Sequence, residues 1–201
     1  MTALSGSFRR KTPYLLLSLF VLGLDQWSKW WVEKNVDRFG SIEVIEGFLN
    51  IIHVRNSGVA FGLFATHGDA VGTAILAAVG LFALGFVTYY FYLTPLWDRL
   101  LLLSLGLILG GAVGNLLDRV LQGEVTDFID AYYGTYHWHT FNVADSAISV
   151  GVALMLISAF RTPTPPEATS PAPRDSKASR DSEASRDSET PPSAQPDSRD
   201  G

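Results

Sequence analysis

The chain has 201 residues, 47% of them hydrophobic, a formal net charge of −5 and no cysteine. The lack of cysteine excludes disulfides, thiolate nucleophiles and cysteine-based metal sites, and the basic residues form no block or aromatic-interleaved patch of the kind nucleic acid requires. A mean hydropathy of +0.19 lies between soluble and membrane values and points to two unlike parts.

Residues 1–11 end in Arg9, Arg10 and Lys11 and read as a cytoplasmic N-terminus beside a first span over 12–32. The uncharged run stops at Leu24, too short to cross a bilayer core of about 30 Å unless the helix continues through "DQWSKWWV". A basic flank and a short apolar core also fit a signal peptide. No small-x-small cleavage site follows, however, and Trp27, Trp30 and Trp31 read as an interfacial anchor. Asp25 and Lys29 lie four apart on one helical face, either paired near the membrane surface or marking a solvated helix end. The loop over 33–68 contains "SIEVIEGFLNIIHVRNSG", whose two β-rich runs predict a small sheet over about 41–66.

The second span, 70–93, is uncharged and ends in a tyrosine-rich belt, and the third, 100–117, is closed by Arg99 and Asp118. In "GGAVGNLLDRV", Gly110, Gly111, Ala112 and Gly114 allow close helix packing, Asn115 and Asp118 share a face, and Arg119 follows. Small-residue packing with an interfacial charge pair explains this stretch equally well. The segment "EVTDFIDAYYG", with Asp127 and Asp130, is too polar to span and is predicted to lie along the interface as an amphipathic helix. A fourth span over 141–160 opens with Asn142 placed to cap it and Asp145 three residues on. From residue 161 onward there is no aromatic residue and no Ile, Leu, Val or Met, and "RDSKAS", "RDSEAS" and "RDSETP" recur every six residues from Arg174. Such a segment cannot bury a core and is predicted to be a disordered cytoplasmic tail.

Together these elements predict an all-α polytopic membrane protein: four transmembrane helices, a small β-sheet and an interfacial helix at the outer face, and a disordered tail. Four spans put both termini on one side, and the basic cluster at 9–11 assigns that side to the cytoplasm.

Asp145 could be no more than a first-turn carboxylate, favoured by the helix dipole by about 0.3 to 1 kcal/mol. Placing a carboxylate at the centre of a membrane helix costs about 2.5 to 3.5 kcal/mol, and less at its end, so energetics alone does not decide. Asp127 and Asp145 can converge from the interfacial segment and the helix start on one water-accessible pocket, where two close carboxylates cannot both ionise easily. One then keeps a proton while the other stays basic, as acid–base attack of water on an amide requires. Asp118 and Asp130 remain competitors. An ion-coupled carrier would also keep ionisable groups in the membrane, but it predicts polar midplane residues and an internal repeat that the second and third spans lack. A scaffold held by glycine packing would tolerate loss of both carboxylates.

The ordered set "DQWSK", "NSGVAFG", "GGAVGNLLDR", "VTDFID" and "FNVADSAISVG", over about residues 12–160, resembles the lipoprotein signal peptidase (signal peptidase II) family of bacterial intramembrane aspartic peptidases. The resemblance implies that Asp127 and Asp145 are the catalytic pair. It also implies that Asn56, Gly58, Asn115, Arg119 and Asn142 line or brace the site, that Asp25 and Lys29 are the first-helix pair, and that Asp118 supports the outer end of the third helix. The implied reaction removes the signal peptide of a diacylglyceryl prolipoprotein before the lipidated cysteine, in the bacterial inner membrane, with membrane lipids as surroundings and globomycin-type inhibitors as ligands. No cofactor or metal is expected: His53, His67, His137 and His139 are scattered. Thr126 stands where the family often has an aliphatic residue, and the Arg-Asp-Ser tail is outside its pattern.

Overall fold

The computed structural model describes residues 2–57 and 70–161. Gly58, the end of the expected β region and the expected disordered tail lie outside them. The described elements are α1 (Thr2–Asn35), β1 (Ser41–Ile45), β2 (Leu49–Asn56), α2 (Ala70–Leu93), α3 (Arg99–Gln122), β3 (Val125–Tyr133), β4 (Tyr136–His137) and α4 (Val143–Ala159).

Helix α3 is the centre of the bundle and touches each of the other three helices. Its start is fixed by Asp98, whose side chain accepts the N–H of Leu101, and its end by Gly123 in the left-handed region at φ 78°. Leu102, Leu105 and Leu109 form the core of the bundle with Phe91 of α2. Close approach depends on missing side chains: a Cβ on Gly111 would run into the carbonyl oxygen of Ala144 on α4. One on Gly114 would come within 2.6 Å of Asp25 Oδ2 on α1.

Two polar ties gather one end of the bundle. Lys11 Nζ donates to the carbonyls of Phe91 and Tyr92 at 2.8 and 2.7 Å, fastening the third turn of α1 to the last turn of α2. Ser158 Oγ donates to Asp98 Oδ1 at 3.2 Å, fastening the end of α4 to the start of α3. The other end therefore collects the end of α1, the end of α3, the start of α4 and the sheet. Two helical stretches, Gly72–Leu93 and Arg99–Gln122, are long and apolar enough to cross a membrane, while the apolar Val143–Ala159 is shorter.

Residues 125–133, expected as an interfacial helix, are instead strand β3, and the architecture is helical with a four-stranded antiparallel sheet in the order β1-β2-β3-β4. The physical reason lies in the composition: Val125, Thr126, Phe128, Ile129, Tyr132 and Tyr133 favour a pleated, half-buried surface over a helix. Strand β2 supplies the partner edge, pairing Val54 with Asp127 and Arg55 with Thr126. Phe128 then packs against Val32 and Val36 at the end of α1 and seats the sheet on the bundle.

Helix α3 also continues past the expected stop at 117 to Gln122. Asp118, read in the sequence as the polar boundary of a span, is 2% exposed, because it turns inward to a lysine of α1.

Candidate active site

The site is assembled where the start of α4 meets β3. Asn142 keeps an extended backbone, accepts the N–H of Asp145 on its Oδ1 at 2.9 Å and donates its own N–H to Asp145 Oδ2 at 3.3 Å. This is a reciprocal capping box, and it fixes the Asp145 carboxylate over the positive end of the helix. The remaining amide nitrogen of Asn142 donates to Asp127 Oδ1 at 2.8 Å. A wholly buried asparagine thus joins the two carboxylates.

Each carboxylate has a second donor. Asn56 Nδ2 on β2 donates to Asp127 Oδ2 at 2.9 Å, and Asn115 Nδ2 on α3 donates to Asp145 Oδ1 at 2.7 Å. The Asn115 amide is oriented in turn by Lys29 Nζ, which donates to its Oδ1 at 3.1 Å. Lys29 is buried between Asp25 Oδ2 and Asp118 Oδ2, each at 2.7 Å. Asp25 Oδ1 also accepts the N–H of Ala144 at 2.9 Å, and Gln26 Nε2 donates to Asp118 Oδ1 at 2.8 Å. Buried charges are tolerable only when paired and hydrogen-bonded, and this cluster meets that condition while holding α1, α3 and α4 in register.

Asp127 and Asp145 line one open cavity of about 510 Å³, together with Asn56, Trp138, Phe141 and Ser149. Burial pushes the Asp127 carboxyl above the usual carboxylate range. Against this, the Asn56 amide pulls it down; the negative charge of Asp145 then raises it further, while the Asn142 amide and Lys29 charge lower it.

The sequence candidates separate cleanly in space. Asn56, Asn115 and Asn142 touch the carboxylates directly, while Asp25, Lys29 and Asp118 form the buried cluster that orients Asn115 and the first turn of α4. Asp25 and Lys29 do pair, but wholly inside the bundle and with Asp118 as a third member. Arg119 donates to the Asn115 carbonyl at 3.1 Å and reaches neither carboxylate. Asp130 is three residues from Asp127, hence on the opposite face of a strand, where it bonds Asn50 and His137. Sequence reasoning missed Gln26 and Glu33. The helical spacing of Lys29 and Glu33, four residues apart like Asp25 and Lys29, was the signal that could have found the second.

A family model described as signal peptidase (SPase) II matches residues 17–161. A lipoprotein signal peptidase of Solibacter usitatus is 45% identical over 145 residues, covering 72% of this chain and 88% of the relative. One of Geobacter sulfurreducens is 43% identical over 154 residues, covering 75% and 95%. Among solved structures, a bacterial membrane enzyme determined by the in meso method at 2.3 Å resolution aligns with a TM-score of 0.61 and 35% identity, over 74% of this chain and 87% of that one.

Proposed function

The chain belongs to the signal peptidase II family, and we propose that it cleaves signal peptides from diacylglyceryl-modified prolipoproteins, before the lipidated cysteine, as an intramembrane aspartic endopeptidase. The observation that carries this reading is the convergence of Asp127 and Asp145 on one open cavity, tied together by Asn142.

The two environments differ, and the difference supports a division of roles. Asp145 sits in the first turn of α4, where it accepts the N–H of Asn142 and the amide of Asn115. Asp127 is buried, and its carboxyl is held above its ordinary range. Asp127 therefore keeps the proton and Asp145 is the base. Asp145 takes a proton from water as the oxygen attacks the scissile carbonyl carbon, and Asp127 gives its proton to the carbonyl oxygen, leaving a neutral gem-diol. In the collapse, a diol hydroxyl returns a proton to Asp127, Asp145 donates its proton to the departing nitrogen, and the C–N bond breaks. The Asn56 and Asn142 amides keep Asp127 in place, and each carboxyl oxygen retains a lone pair for the substrate.

The polar ties at one end of the bundle and the carboxylate pair at the other support a membrane placement. Four helices cross the inner membrane, with Lys11, Asp98 and both termini on the cytoplasmic side and the carboxylate pair near the outer face, where a lipidated peptide keeps its acyl chains in the bilayer. The test is cleavage of a lipidated lipobox peptide by the parent, Asp127→Asn and Asp145→Asn, with and without globomycin. Either variant cleaving at near the parent rate overturns the pair.

A further inference from the structure

Resting on the peptidase reading above, we infer that Glu33 and Thr126 are positioning residues: a carboxylate at the end of α1 clamps β2 and β3 and sets where Asp127 stands. Glu33 Oε1 accepts the hydroxyl of Thr126 at 2.8 Å and lies 3.6 Å from the Arg55 guanidinium. Thr126 is 1% exposed and directly precedes Asp127; Arg55 directly precedes Asn56, which donates to Asp127 Oδ2. Arg55 and Thr126 are partners across the β2–β3 ladder. One carboxylate thus holds both strands at the step before the two residues that share a hydrogen bond in the cavity.

Strand alternation explains why this placement matters. Thr126 and Phe128 face away from Asp127, and Phe128 packs on Val32 and Val36 of α1. That packing is non-directional, and the backbone bonds of β3 run to β2 and Phe141 and not to α1. The Thr126 hydroxyl adds a directional bond to the same helix, fixing β3 along its own axis. That axis determines the reach of Asp127 toward Asn142 and the cavity. A buried hydroxyl without a partner would be costly, so Glu33 also justifies a polar residue at this position.

The clamp acts through Asp127 and not on the bound peptide, so its loss lowers kcat and leaves KM near the parent value. Thr126→Val removes the hydroxyl while keeping the branched shape, and kcat on a lipidated lipobox peptide falls about tenfold or more with KM within about twofold. Thr126→Ser restores kcat. Glu33→Ala, which also removes the Arg55 contact, is at least as severe as Thr126→Val, Glu33→Gln keeps the acceptor oxygen and most of the rate, and the double variant Thr126→Val/Glu33→Ala is no worse than Glu33→Ala alone. Parental kcat in Thr126→Val, a rise in KM that accounts for the loss, failure of Thr126→Ser to restore the rate, or additive effects in the double variant overturns the clamp. Asp127→Asn is run alongside. If it is active, the peptidase reading has failed; if it is inactive while Thr126→Val is parental, the clamp alone has failed.

Discussion

The side-chain amide of Asn142 donates to Asp127 Oδ1 at 2.8 Å from a residue that also starts helix α4. Folding of the helix and placement of the strand carboxylate are therefore one event. Removing the amide separates what it joins. Asn142→Ala loses the cap, at a cost of about 1 kcal/mol, and lowers kcat by about a hundredfold through misplacement of both carboxylates. Asn142→Ser keeps a capping oxygen but cannot reach Asp127. It recovers most of the thermal stability and little of the rate, as thermal unfolding in detergent and a cleavage assay will show.

The raised Asp127 carboxyl gives a pH prediction of definite sign. A carboxyl whose folded pKa exceeds its unfolded one contributes stability below the unfolded pKa and loses it as pH rises through the folded value. Relative to Asp127→Asn, which cannot ionise, the parent therefore loses thermal stability as pH rises above the ordinary carboxylate value of about 4. Tm of the two proteins measured side by side checks this; a parallel pair of curves contradicts it. The same protonation makes cleavage fail on the alkaline side once Asp127 ionises.

Gly111→Ala tests the seam between α3 and α4. The new methyl meets the Ala144 carbonyl, a backbone atom one residue from Asp145 that cannot swing aside. The expected cost is about 1–3 kcal/mol, with a loss of rate because the first turn of α4 moves. Gly85→Ala on α2 has open space around it, and there the substitution is neutral or stabilises by up to about 1 kcal/mol. Comparison of the two Tm shifts isolates the steric effect from helix propensity.

Lys29→Met leaves Asp25 and Asp118 buried without their cation, and breaking a buried pair in this way costs about 3–5 kcal/mol. It also removes the donor that orients Asn115, so residual folded protein cleaves slowly. Asp118→Asn is milder, since Asp25 still pairs with Lys29. Reversal of this order in unfolding measurements would show that the cluster is not the tie described.

Residues 70–93 could be read as a helix directly from the sequence, because an unbroken apolar run has one solution in a bilayer and α2 is Ala70–Leu93. The C-terminal end of α3 and the nature of 125–133 were not legible for the same reason: both depend on partners distant in sequence. Asp118 looks like a boundary until Lys29, 89 positions earlier, is placed beside it. "VTDFID" satisfies an amphipathic pattern until β2 offers an edge. Composition left Asp118 and Asp130 competing with Asp127. The strand geometry turns Asp130 to the other face, and the ion cluster absorbs Asp118. Glu33 was legible only in its spacing from Lys29, since a glutamate at the end of a helix is ordinary until Thr126 lies beneath it.

The capping box at Asn142 and Asp145 has a bearing on resistance. A compound that grips these two side chains binds groups that the protein uses to begin a helix, so escape by substitution at either position weakens the cap by about 1 kcal/mol together with the drug contact. Variants that evade such a compound are expected elsewhere on the cavity lining, at Trp138 or Ser149, which start no element.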